Sequence, residues 1–232
     1  MDRSLLLIAH ILLLVAWLGI DVGVFTSSFF IRRRGLSPDA RTELRRVMRG
    51  LDLAPRLSLV LTMPVALGLA DATGLATIPT AALSAVTVLS LLWVAGMVWA
   101  FRRVDVLGRP TRQDARAAAI FTRADLALRI AAIIGFGGAG FLSLVGTSEI
   151  FRADFVALKA LLFASTVTAG LRIRSSARPF GPALRTVVTQ GEDEAQLRIM
   201  DASMRRVYPA VLYIWGSLVV MTMLGVLRPT VT

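Results

Sequence analysis

SLLLIAHILLLVAWLGIDVGVF, residues 4–25, decides the fold class. Apart from Ser4, His10 and Asp21 the run is apolar, and about 20 such residues in a helix cross the hydrocarbon of a bilayer. Working outward, five further blocks of the same kind follow. The six spans cover about 5–31, 57–72, 79–101, 126–147, 153–174 and 207–227. The second is short and begins as early as Leu53. No long soluble segment is left over, so residues 1–232 read as a single transmembrane domain. The fold class expected is all-α: a polytopic bundle of about six helices, with amphipathic helices on the cytoplasmic side. The first block is too long for the apolar core of a signal peptide. No small-x-small cleavage pattern precedes Arg32-Arg33-Arg34, so it reads as a retained helix.

Composition agrees. Of 232 residues, 56% are hydrophobic, more than the 45–50% usual in soluble domains. There is no cysteine, which excludes disulfides, thiolate metal sites and covalent c-type haem. The formal charge of +11 suggests nucleic acid until its distribution is read. Of 25 arginines, 22 lie within 32–56, 102–129 and 172–206. The connections between these segments, DATGLATIPT (71–80) and TSEIFRAD (147–154), carry almost no positive charge. This is the positive-inside pattern. It predicts a bacterial inner membrane protein with the basic segments in the cytoplasm and both termini outside. The expected partner of that basic surface is the anionic inner leaflet, not nucleic acid. A homo-oligomer or a membrane partner subunit is compatible with the same pattern.

The three basic segments resemble one another. In SPDARTELRRVMRGLDLAPR (37–56), Leu44, Val47, Met48 and Leu51 recur at helical spacing, with arginines opposite. Ser37 suits the N-cap and Pro38 the first turn. In EDEAQLRIMDASMRRVYP (192–209), Leu197, Met200, Met204 and Val207 form a similar stripe; TRQDARAAAIFTRADLALR (111–129) is a weaker case. Each is expected to extend a spanning helix or to lie on the inner leaflet. Pro64 within the second span predicts a kink. Gly135-Phe136-Gly137-Gly138-Ala139-Gly140 matches G-x-G-x-x-G in letters only. The dinucleotide fingerprint needs a strand before it, whereas glycines within a span serve close helix packing. The Gly19/Gly23 pair reads the same way.

Chemistry is sought at the ionisable residues inside the spans, because each costs roughly 2.5–3.5 kcal/mol to insert. His10 is the only histidine of the chain; Lys159, in FVALKALLFASTVTAGL (155–171), is its only lysine. Counting from the outer ends of the first and fifth spans puts both at similar depth in the outer leaflet. His10, Trp17 and Asp21 share one face of the first helix, with about 16 Å of rise between His10 and Asp21. Asp21 therefore lies in the cytoplasmic half, where Arg129 or Arg56 is the expected partner. Structural roles are open to all three: a helix–helix hydrogen bond for His10, snorkelling for Lys159, an ion pair for Asp21. A lone intramembrane histidine can also bind haem iron, relay protons with Asp21, or bind copper together with methionine sulfur. A bis-histidine haem is excluded within one chain. A His/Met haem would draw on Met63, Met97, Met221 or Met223.

The start of the chain, AHILLLVAWLGIDVGVF (9–25), resembles the first helix of the CopD-type membrane proteins and the related HemJ-type protoporphyrinogen oxidases, with His10, Trp17 and Gly19 at the matching positions. ADFVALKALLFASTVTAGLRIR (153–174) is similar to the later family helix in which a lysine opens an apolar run, and Lys159 stands at that lysine. Where the HemJ-type helix has Leu-Pro-Arg after the tryptophan, this chain has Asp21-Val22-Gly23-Val24. The HemJ-type resemblance implies haem b on His10, an essential Lys159 and oxidation of a tetrapyrrole. The CopD-type resemblance implies movement of copper across the membrane. The resulting expectation is a haem-dependent oxidoreductase or tetrapyrrole-related protein. His10 would be the metal ligand and Trp17 part of the cofactor site. Lys159 would hold a propionate or assist proton transfer, and Asp21 would be an inner proton carrier. The alternatives are a copper or small-solute transporter, and an assembly subunit with no cofactor.

Overall fold

The computed structural model describes residues 2–107 and 114–228. The start of the middle basic segment, 111–113, lies outside them. Seven helices follow one another: α1 (Arg3–Phe30), α2 (Pro38–Ala72), α3 (Thr80–Arg102), α4 (Ala115–Leu144), α5 (Asp154–Ser176), α6 (Phe180–Gln190) and α7 (Glu194–Leu227). Six helical stretches are long and apolar enough to cross a membrane. Their outward faces carry large apolar side chains, among them Leu12, Leu92, Ile134 and Val226. An apolar surface this extensive is what a multi-pass membrane protein presents to lipid.

Two basic segments resolve the choice left open by their periodicity. Residues 38–72 form one continuous helix, as do 194–227, so each amphipathic segment extends a span. Ser37 caps α2 as its sequence predicts, its hydroxyl accepting from the Ala40 amide at 3.3 Å. Pro55 and Pro64 both lie inside α2. The short α6 packs beside α7 and closes a second apolar cluster around Ile31, Leu184 and Met200.

Neighbouring helices run antiparallel, and glycine sets how closely some of them meet. A side chain at Gly140 would begin 2.7 Å from the Ala157 carbonyl oxygen, and one at Gly137 would touch Ala164. The glycine cluster of α4 therefore serves packing against α5. Gly23 meets Leu51, whereas Gly19 has open space around it.

At one end of the bundle, Gly74 (φ 71°) and Gly146 (φ 73°) close α2 and α4. In each case the following amide bonds five residues back, Leu75 to Ala70 and Thr147 to Leu142, the return bond of a helix C-cap. The two connections then pair through an isolated bridge, Ala76 with Phe151.

The opposite end is rich in arginine, and several of these guanidinium groups are consumed internally. Arg41 is 1% exposed; it donates to the carbonyls of Ile31 (2.7 Å), Arg33 (2.8 Å) and Leu36 (3.3 Å) and pairs with Glu192. It thereby clamps the α1–α2 connection onto the segment before α7. Arg49 donates to the Phe101 and Asp105 carbonyls, satisfying the end of α3. Arg32 ties the end of α1 to Asp201 and Tyr208 of α7.

Removing Arg41 leaves three carbonyls without its guanidinium and Glu192 with only the Gly35 amide. Arg41→Ala is expected to cost about 3 kcal/mol, read as a clear fall in melting temperature of the detergent-solubilised protein. Arg46→Ala, at an exposed pair with Glu43, should change it by well under 1 kcal/mol.

Candidate functional site

α1, α2, α5 and α7 enclose a cavity of about 320 Å³ that opens toward the end bearing the chain termini. His10, Trp17 and Lys159 all line it. Three of the four residues singled out from sequence thus meet in one space, although α1 and α5 do not pack along their lengths. The walls are apolar and aromatic. Trp17 meets Phe163 edge-on with ring centroids 6.5 Å apart, and Phe163 meets Phe136 at 4.9 Å.

His10 projects from α1, a helix made of leucine, isoleucine, valine and alanine around it. Its Nδ1 is buried and has no hydrogen-bond partner. Leaving such a group unpaired costs about 1–3 kcal/mol. Lys159 sits one and a half turns into α5. Its Nζ lies where Gly225 leaves room on α7: a β-carbon at Gly225 would be 3.1 Å from it. Among the described residues the Lys159 ammonium has no hydrogen bond or ion pair. The two basic groups are near enough for the ammonium charge to act on the imidazole.

The surroundings sharpen this picture. Outside the three basic segments the chain has only four arginine or lysine residues, Arg3, Arg152, Lys159 and Arg228. Three of them, Arg3, Lys159 and Arg228, line the cavity, and among the described residues no aspartate or glutamate does. Thr62, Thr73 and Thr222 supply the remaining side-chain polarity. An apolar slot whose only charges are positive suits the anionic end of an amphiphile.

Of the four methionines considered as a second ligand beside His10, Met63 and Met221 line the cavity. Met97 is buried in the central apolar cluster and Met223 faces outward. Among the described residues no three His, Cys, Asp or Glu side chains cluster. A metal here would therefore rest on the His10 ring and thioether sulfur.

Asp21 lies elsewhere. Its carboxylate accepts a hydrogen bond from the Trp215 indole at 2.8 Å. The expected pairing with Arg129 does not form. Arg129 bonds Asp125, one turn earlier on its own helix, at 3.1 Å, and α1 packs against α2 and α7 rather than α4. Arg56 likewise pairs with Asp52, one turn away, while staying within electrostatic range of Asp21. Along α1, Trp17 of the central cluster stands between His10 and Asp21, and Asp21 does not line the cavity.

A second polar centre escaped the sequence reading. Asp125, 7% exposed, accepts from the Trp93 indole (2.9 Å) and Arg129, and from Arg174 at 2.6 Å. It joins α3, α4 and α5. The i, i+4 spacing of Asp125 and Arg129 was its one local signal; Trp93 and Arg174 arrive only through the fold. The chain matches no protein-family model, no curated protein and no solved structure.

Groups that hold the fold and groups held at its expense should part on mutation. Asp125→Ala strands two arginines and is expected to lower stability by about 3 kcal/mol. His10→Phe and Lys159→Met remove unpaired polarity and should leave the melting temperature unchanged or raise it. A marked fall for both would assign them to packing instead.

Proposed function

We propose that this protein is a membrane-embedded binding protein for a tetrapyrrole of the haem b type, acting in redox or tetrapyrrole chemistry. The observation that carries this reading is the meeting of His10, with its unpartnered buried ring nitrogen, and Lys159 in one aromatic-walled cavity without acidic groups. The residues present fit the group. The His10 imidazole is a haem ligand by type, and Met63 and Met221 offer a thioether on the same cavity. Trp17, Phe136 and Phe163 form walls for a flat macrocycle. Arg3, Lys159 and Arg228 match its carboxylates, and pairing offsets the desolvation of both charges. When bound, haem supplies one-electron chemistry. The chain's own residues orient the macrocycle, exclude water and neutralise its acidic edge. The similarity of the first and fifth spanning helices to CopD-type and HemJ-type proteins supports the same reading. Asp21, fixed by Trp215 beyond the apolar cluster, fits a positioning role on the cytoplasmic half.

An absorption spectrum of the detergent-purified protein, with and without dithionite, tests this directly. A Soret band is expected, shifting on reduction and lost in His10→Ala. Lys159→Met should weaken haem binding by roughly tenfold, the worth of one ion pair at a partly desolvated site, while keeping the ligated spectrum. Colourless protein that also fails to take up added haemin would refute the reading.

The topology we infer puts the cavity mouth outside a bacterial inner membrane and the arginine-rich end in the cytoplasm. The chain has no cysteine, so single thiols report orientation. Glu149→Cys is expected to react with a membrane-impermeant maleimide on intact spheroplasts, and Glu43→Cys only after lysis. The opposite pattern would invert the topology.

A further inference from the structure

A second space lies on the far side of the cavity wall. It is a cleft of about 390 Å³ between α3 and α4, and among the described residues no charged one lines it. α3 packs mainly on α2 and meets α4 closely only toward the arginine-rich end. There the Trp93 indole bonds Asp125, and the Phe121 ring fills the notch at Gly96, where a β-carbon would stand 2.5 Å from it. Beyond this fastening the two helices part. Ala82, Leu89, Ala131 and Gly135 line the gap and are exposed, so its mouth faces hydrocarbon.

The cleft and the His10/Lys159 cavity share four lining residues, Met63, Leu67, Phe136 and Phe151. One layer of side chains separates them. Methionine and leucine change rotamer readily and a half-buried phenylalanine can swing, so that layer is a partition able to open. The cavity's other mouth sets the cationic Arg3 and Arg228 beside exposed Leu7, Ile11 and Val226, so the apolar face of a macrocycle meets two guanidinium groups there and, among the described residues, none at the cleft.

We propose that the α3–α4 cleft is the lateral portal through which the membrane-dissolved ligand passes between bilayer hydrocarbon and the His10/Lys159 cavity, with Phe136 and Met63 as its movable partition. This rests on the reading of the cavity as a tetrapyrrole site. It adds the route and restricts the ligand to molecules that partition into lipid. A portal governs rates and leaves the equilibrium untouched, and this sets its test.

Haemin is delivered from preloaded vesicles to protein reconstituted in vesicles, and growth of the Soret band is followed in time. A side chain at Gly135 begins in open space, with nothing within 4 Å of its β-carbon, so Gly135→Trp can fill the mouth without disturbing the helix. It is expected to slow uptake and release at least tenfold with the final absorbance unchanged. Phe136→Ala should speed uptake several-fold. Wild-type rates and full amplitude in Gly135→Trp would overturn the portal. Should Gly135→Trp fail to fold, Gly135→Cys carrying a bulky disulfide-linked label replaces it; slow uptake that recovers when the label is reduced off supports the portal, and an unaltered rate sinks it. No Soret band in the wild type would defeat the haem reading. The same kinetics are then read from fluorescence of metal-free protoporphyrin, which needs the cavity but no iron ligand. Absence of binding by both probes removes the portal together with the site.

Discussion

An imidazole and an ammonium group held among hydrocarbon side chains, with no carboxylate among the described residues that line their cavity, is the constraint that organises this molecule. Each raises the free energy of the bundle, and nothing else in the fold recovers that cost. The rest of the terminus-bearing end is arranged around the same imbalance. Three of its four arginine and lysine residues gather on one cavity, Gly225 leaves space for Lys159, and among the described residues no acidic side chain is on the lining. A site that is costly when empty and positive throughout is one that a negatively charged occupant stabilises.

The arginine-rich end follows the opposite rule. There the charges are numerous and many of them are satisfied. Arg41 serves carbonyls and a glutamate, Arg49 closes α3, and Asp125 collects two arginines and an indole across three helices. Positive charge at this end is therefore more than a topological label. It is part of what joins helices whose lipid-facing sides contribute nothing to their association. Paired polarity holds one end together, with Arg185 Nε the buried exception among the described residues, and the unpaired His10 marks the other.

These two regimes are divided by the central apolar cluster of Trp17, Leu59, Val60, Trp93 and Phe163. Asp21 sits on the arginine-rich side of it and His10 on the other. The division separates two carboxylate–indole contacts, Asp21 with Trp215 and Asp125 with Trp93, from the cavity. Sideways, the cavity has a thinner boundary, the single layer of Met63, Leu67, Phe136 and Phe151.

Much of this was legible in the chain. Block length and the alternation of arginine-rich with arginine-poor connections determine an all-α, six-span bundle, because a continuous apolar block of about 20 residues satisfies its own backbone in hydrocarbon as a helix. The singularity of His10 and Lys159, and their matching depth, follow from counting residues along antiparallel spans. Local spacing also decides the Ser37 cap. Which helices touch was left to the tertiary structure, because lipid-facing and protein-facing residues are equally apolar and periodicity cannot tell them apart. Packing alone seated Trp17, Met63 and Met221 on one cavity with His10, gave Asp21 to Trp215 rather than Arg129, and brought Trp93 and Arg174 to Asp125. Those contacts join residues far apart in the chain, and their partners are chosen by shape and glycine-sized gaps that no local pattern records.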